Sequence, residues 1–592
     1  MVIALKSRLS WCVLTPLLFA LPALASPPLS TLAERTDFKQ TARYAEAVQL
    51  CADFAKAFPD AASCVEFGRT PENRPLLSLV ISRSGALTAD AARAKNLPVM
   101  LVQGGIHAGE IDGKDAGFLV ARELLGGEVA RGALDKMVLV FVPVFNVDGH
   151  ERFGAWNRPN QRGPEQMGWR TTAQNFNLNR DYAKADSIEM QSMLRLIGQW
   201  DPILYVDLHV TDGAQFEHDV SVTLEPVYSG DPELRKAGLA LRNDMMRKLT
   251  AQGSLPLPFY PSFVIGDDPT SGVDAGVAPP RFSTGYMPLR NRIGVLVETH
   301  AWKDYKTRVR VTRNTVVALI ESTVALGPKW MATARDADAR AAALAGSQVA
   351  LAYQAQGEGQ MIDFRGYAYR RTPSAVSGAL VTRYDERKPQ IWKMRLRDDV
   401  QATLSATAPG AGYVVPAAHA AWLAPRLQVH GIEFRQLENA IAAAETQTFR
   451  ATKVTFGTTS VESHQMLTLQ GAWKSEPREI VAGSLFVPIA QAKSRLVMAL
   501  LEPQAPDSYA AWGEFNNAFE RKEYMENYVA EDVAVSMLKD PAVAAEFEKR
   551  LATDSDFAKN PNARLDFFAR RHESFDERYN LYPVMRLDKV PE

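Results

Sequence analysis

Three short stretches carry side chains whose types and spacing could do chemistry. In "GGIHAGEIDGKDAG", residues 104–117, His107 and Glu110 stand three apart, just after the apolar run "LPVMLVQ". An imidazole and a carboxylate are two members of the His, His, Glu set that leaves zinc an open position for water. Alone, an H-x-x-E pair is more often a solvated turn. A second histidine, His209 in "PILYVDLHVTDG", closes another apolar stretch, where a satisfied core histidine is the plain alternative. Glu298 in "GVLVETH" ends a third. Lost solvation there raises a carboxyl's pKa toward the range of a general base near neutrality; a glutamate paired with Arg290 or Arg292 would have no such role. His300 shares a face with Glu298 if the strand continues, and then competes as a ligand. Between the first and second of these stretches, "MGWRTTAQNFNLNRDY" (167–182) holds Arg170, Asn179 and Arg180. The planar guanidinium fork matches a carboxylate, so this cluster suits a substrate with a free carboxyl end.

The elements that must position these groups are legible as periodicity. Apolar side chains recur at helical spacing over 43–57, and "LLSLVIS" (76–82) reads as a strand. "PVMLVQ" (98–103), "KMVLVFVPVFN" (136–146), "PILYVDLHV" (202–210) and "RIGVLVETH" (292–300) are continuously apolar strands. "DGKDAGFLVARELL" and "SIEMQSMLRLIGQW" between them read as helices. Strands apolar on both faces and separated by helices imply an α/β fold with a mostly parallel sheet covered on both sides. His107, His209 and Glu298 then fall at carboxyl ends of strands, where such sheets bind ligands.

The order H-x-x-E, then N-R, then a lone histidine closing a strand, then a glutamate closing the last strand resembles the zinc metallocarboxypeptidases of the carboxypeptidase A type. The resemblance covers roughly residues 40–330 and implies a mixed, mostly parallel sheet of about eight strands between helices. It implies one zinc ion held by His107, Glu110 and His209, with Glu298 as general base. It further implies that Asn179 and Arg180 bind the terminal carboxylate of a peptide or protein substrate, and that Arg170 polarises the scissile carbonyl. Two departures stand out. Asn177 occupies the place of the aspartate that supports a zinc histidine, so the ligand loses a charged partner. The substrate-capping tyrosine has no obvious counterpart, and Tyr286 in "STGYMPLRNR" is the candidate.

The rest of the chain bounds the reading. At 592 residues, with 46% hydrophobic and 23% charged residues, it can build more than one core. Lys+Arg is 67 against 68 Asp+Glu, which gives no basic excess for nucleic acid. The N-terminus "MVIALKSRLSWCVLTPLLFALPALASPPLS" has Lys6 and Arg8, an apolar core, then Ala23-Leu24-Ala25. This reads as a signal peptide cleaved near Ala25, with export to the periplasm or medium. The run contains Pro16 and Pro22 and falls short of the ~20 residues that span a bilayer. No later stretch is long and apolar enough to do so. Export leaves Cys51 and Cys64 either paired or as two separate thiols. The expected organisation is a signal peptide (1–25), a leader (26–39), a catalytic domain (40–330), a helical linker (331–355) and a β-rich accessory domain with helices (356–592). That last part shows no chemical motif. Two other functions fit the same residues: a zinc acylase acting on N-acyl amino acids, and a catalytically inactive binder of peptide termini.

Overall fold

Residues 29–591 are described by the computed structural model of the chain. The region read as a signal peptide lies outside the described residues. The apolar runs, together with strands of weaker pattern, form β1 (Ala62–Arg69), β2 (Pro75–Ile81), β3 (Val99–Gly104), β4 (Val138–Val142), β5 (Leu204–Val210), β6 (Val220–Glu225), β7 (Pro256–Leu257), β8 (Val273–Asp274) and β9 (Ile293–Thr299). Eight of them make one sheet in the order β1-β2-β4-β3-β5-β9-β6-β7. The junctions β3–β4, β3–β5, β5–β9 and β6–β7 are parallel. The outer junctions β1–β2, β2–β4 and β6–β9 are antiparallel, so the sheet is mixed.

Side-chain alternation divides each strand between two cores. Met100 and Val102 of β3 join a core with residues of the helices Tyr44–Ala57, Asp112–Gly126, Pro232–Ala251 and Tyr305–Ala342. Val99 and Leu101 face the other side, where the helix Ile188–Trp200 packs together with Leu427, Leu496 and Tyr582 from far along the chain. The second core is therefore shared between the sheet and the C-terminal third. The stretch 331–355 is the tail of the helix Tyr305–Ala342 followed by the strand Gln348–Gln356.

Beyond residue 356 the chain is β-rich, as the alternation predicted. A hairpin of Gln360–Pro373 with Leu380–Arg397 adds β8 alongside its second strand. A six-stranded sheet contains a longer hairpin, Ile441–Val461 with His464–Ile480. Cys51 and Cys64 form a disulfide between the helix Tyr44–Ala57 and β1. Among the described residues, no helix is long and apolar enough to cross a membrane.

The architecture also locates the site. β3 lies between β4 and β5, so the connection leaving β3 runs to one side and the next strand is laid on the other. Such a switch opens a crevice at the carboxyl ends of the strands. The loop after β3 is drawn into that crevice. Gly105 in it has φ of 63°, a region open to glycine. A Cβ on Gly109 would lie 2.6 Å from Arg158 Cγ and 2.7 Å from the Gly168 carbonyl. At the start of the next helix, buried Asp112 accepts from Arg308 Nε (2.9 Å) and Thr299 Oγ1 (2.9 Å), which ties the loop to the end of β9.

Candidate active site

His107, Glu110, Arg170, Asn179, Arg180, His209 and Glu298 all line one cavity of about 440 Å³. Residues almost two hundred positions apart are gathered by strand register: in the parallel pairing of β5 with β9, His209 stands directly opposite Glu298. Glu110 arrives from the β3 loop and faces both histidines. Its Oε1 lies 3.0 Å from His107 Nδ1 and its Oε2 lies 3.0 Å from His209 Nδ1. The two imidazoles meet edge to face, 5.0 Å apart. All three ligand candidates are buried.

The protonation pattern tests whether a cation fits. Asn177 Oδ1 accepts from the Asn179 backbone N–H (3.1 Å) and lies 3.0 Å from His107 Nε2. An amide oxygen can only accept, so the proton of neutral His107 sits on Nε2 and the Nδ1 lone pair faces a Glu110 oxygen. Burial lowers His107 to about 4, against the opposing pull of Glu110, so the ring is neutral near pH 7. A buried lone pair 3.0 Å from a carboxylate oxygen is an acceptor facing an acceptor, which a cation between them resolves. Two imidazole nitrogens and a carboxylate are a donor set that suits zinc. The residues present therefore fit the metal.

His209 behaves differently. Burial opposes its charge, but Asp207, Glu110 and Glu298 outweigh burial and hold it well above the ordinary histidine value. Asp207 Oδ1 is 3.0 Å from His209 Nε2, at an angle outside hydrogen-bonding range. Asp207 is itself fixed by Gln103 Nε2 (2.9 Å) and Ser283 Oγ (2.8 Å). Burial also pushes the Glu298 carboxyl up to about 8; the nearby Glu110 and Asp207 charges add to this, while His209 and Arg158 oppose it. Glu298 Oε2 is buried without a hydrogen-bond partner.

Several alternatives are resolved by position. Arg292 pairs with Asp201 and Asp338, and Arg290 donates to the His430 carbonyl, so neither claims Glu298. β9 ends at Thr299, and His300 turns away to stack on Phe216 with ring centroids 3.8 Å apart. The Tyr286 expectation is corrected: that side chain is fully buried, and its hydroxyl lies 2.9 Å from His430 Nδ1 on the far side of the helix-covered core. Two tyrosines line the cavity, Tyr228 and Tyr260, and the one beside the Glu298 and Glu110 charges is Tyr260, just beyond β7. Burial and the Glu298 and Glu110 charges raise its phenol, so it stays protonated.

Arg158 is a further residue of the site that no sequence pattern announces. It is buried, with Nη1 3.0 Å from Glu110 Oε1 and Nη2 3.0 Å from Asp212 Oδ1. Arg170 Nη1 reaches the same Glu110 oxygen at 3.3 Å. Asp207 had a signal in retrospect, since residues two apart on a strand share a face. Arg158 and Tyr260 lie in irregular segments that carry no period to read.

A buried His, Glu, His set at the carboxyl edge of a mixed sheet, with a second glutamate beside it, has the donors of a zinc site. Comparison with known proteins gives the family. Residues 47–253, about a third of the chain, match the zinc carboxypeptidase family, Peptidase_M14. The three triad residues, Arg170, Asn179 and Arg180 fall within the match, and Glu298 lies beyond it. The triad is the zinc site of that family. Carboxypeptidase D of Drosophila melanogaster is 32% identical over 178 residues, which is 28% of this chain and 12% of that protein. "Inactive metallocarboxypeptidase ecm14" of Schizosaccharomyces pombe is 36% identical over 103 residues, 16% of this chain and 20% of that one. The matched segments thus span a fifth or less of either relative's length. Among solved structures, carboxypeptidase A from Helicoverpa armigera is 17% identical, with 50% of this chain and 75% of that chain covered and a TM-score of 0.35.

Proposed function

We propose that this protein is an exported zinc metallocarboxypeptidase that hydrolyses the C-terminal peptide bond of peptides or proteins. The observation that carries the reading is the facing of two histidine nitrogens and one carboxylate at 3.0 Å, with Glu298 paired across the strands to His209. Zinc bound by His107, Glu110 and His209 supplies a Lewis acid and lowers the pKa of water.

The chain's own residues do the rest. Asn179 and Arg180 receive the substrate's terminal carboxylate by hydrogen bonds and charge. Arg170, on the same wall, donates to the scissile carbonyl oxygen as negative charge develops there. Glu298, in its ionised form, takes a proton from the attacking water and passes it to the leaving amine. The C–N bond breaks as the water oxygen joins the carbonyl carbon, giving a shortened chain and a free amino acid. Tyr260 closes the cavity over the substrate and offers a hydroxyl proton.

Export is supported by the Cys51–Cys64 disulfide, since such bonds persist in oxidising compartments. The test is a Glu298→Gln variant loaded with zinc. It should bind metal like the wild type while kcat on a peptide mixture falls by roughly 10²–10⁴-fold. Wild-type turnover in that variant would sink the base assignment. Parallel assays with N-acyl amino acids separate peptidase from acylase.

A further inference from the structure

The C-terminal third carries no catalytic motif, yet one of its hairpins ends against the site. In the hairpin of Ile441–Val461 with His464–Ile480, Val461 pairs with His464 and Ser460 with Gln465. The two-residue turn between them is Glu462 and Ser463, at φ of 49° and 69°. Turns with two positive φ values favour Asn, Asp and Gly, so a glutamate here is held against its backbone preference. Its carboxylate has a specific partner: Oε2 accepts the backbone N–H of Asn177 at 2.9 Å. Asn177 Oδ1 in turn holds His107 Nε2 and the Asn179 N–H. Two residues further on, His464 Nε2 lies 2.7 Å from Asp186 Oδ2. Asp186 is also held by Lys184 at 3.0 Å and Arg426 at 2.9 Å. The hairpin end thus grips both ends of the segment 177–186, which carries Asn179 and Arg180. Glu462 is engaged with an amide, and Arg180 Nη1 donates to the neighbouring Asn179 carbonyl at 2.8 Å.

We propose that Glu462 is a positioning residue of the site: by fixing the Asn177 amide it orients the His107 ligand and the carboxylate-binding Asn179–Arg180 pair. The hairpin of the C-terminal third is then part of the site's machinery and not a separate appendage. This rests on the zinc-peptidase reading above, so the experiment includes a measurement that does not depend on it.

The full chain is compared as wild type, Glu462→Ala and Glu462→Gln. In metal-free protein, hydrogen exchange at the Asn177 amide is measured; in a second arm, zinc affinity is titrated against a competing chelator. The alanine variant should exchange about tenfold faster at Asn177 and bind zinc about tenfold more weakly, the low end of the effect of outer ligand partners. Its KM for a free-carboxylate peptide should rise more than its kcat falls. The glutamine variant keeps an oxygen acceptor and should stay within about threefold of wild type in all three. Unchanged exchange and zinc affinity in the alanine variant overturn the proposal, as does a glutamine variant equally impaired. A wild type that fails to bind zinc defeats the functional reading instead, and exchange at Asn177 still decides this one.

Discussion

At the residue scale, the site works by setting charged groups against their burial. Glu298, His107 and His209 each sit where burial disfavours the charged form, and neighbours decide which one carries charge. Glu189 shows the same physics without a site. It is buried on the helix Ile188–Trp200, neither carboxyl oxygen has a hydrogen-bond partner, and burial pushes it up to about 7. The sign of its linkage is fixed: between the unfolded value of 4.5 and the folded value near 7, the folded state holds the extra proton. Stability therefore falls as pH rises through that window, by about 3 kcal/mol once both states are ionised. Glu189→Gln should raise the denaturant midpoint at pH 8, with the gain vanishing near pH 4. A pH-independent difference between the two proteins would contradict this.

Among elements, the junctions matter more than the elements themselves. The disulfide staples the helix Tyr44–Ala57 to the edge strand β1, which has the sheet on only one side. Closing a loop of that size restricts the unfolded chain by about 3 kcal/mol in the entropic account. A Cys51→Ser, Cys64→Ser double variant should accordingly melt several degrees lower with its metal site intact; an unchanged melting temperature would show that packing of Leu50 and Phe54 alone secures the helix. The Asp112–Arg308 pair does a comparable service for the ligand loop. Both groups are buried, and losing one partner of such a pair costs about 3–5 kcal/mol.

For the whole molecule, the shared core sets the unit of folding. Val80, Leu101, Val140 and Leu194 pack in one cluster with Tyr413, Leu427, Leu496 and Tyr582. Cutting the chain after the helix Tyr305–Ala342 would expose that apolar face to water, and large exposed apolar faces drive aggregation. A fragment of residues 29–345 is expected to be insoluble or non-cooperative, while the full chain melts in one calorimetric transition. A soluble fragment with a sharp transition of its own would show that the catalytic sheet closes without the C-terminal third.

Local chemistry decided what was readable beforehand. His107, Glu110, His209 and Glu298 stand at ends of continuously apolar runs, and such runs announce buried parallel strands through their own composition. Strand ends and site candidates were therefore determined by the sequence alone. The strands β1 and β7, being partly exposed or very short, carry too little period to read, and β6, "VSVTLE", breaks its buried run with serine and threonine. Tertiary structure alone decided which tyrosine reaches the cavity, because Tyr260 and Tyr286 are separated by chain direction and not by type. It alone placed Arg158 against Glu110 and the Glu462 hairpin tip against Asn177. Each of those contacts joins residues far apart in the chain or in irregular segments, where closeness depends on how the sheet and the hairpins pack.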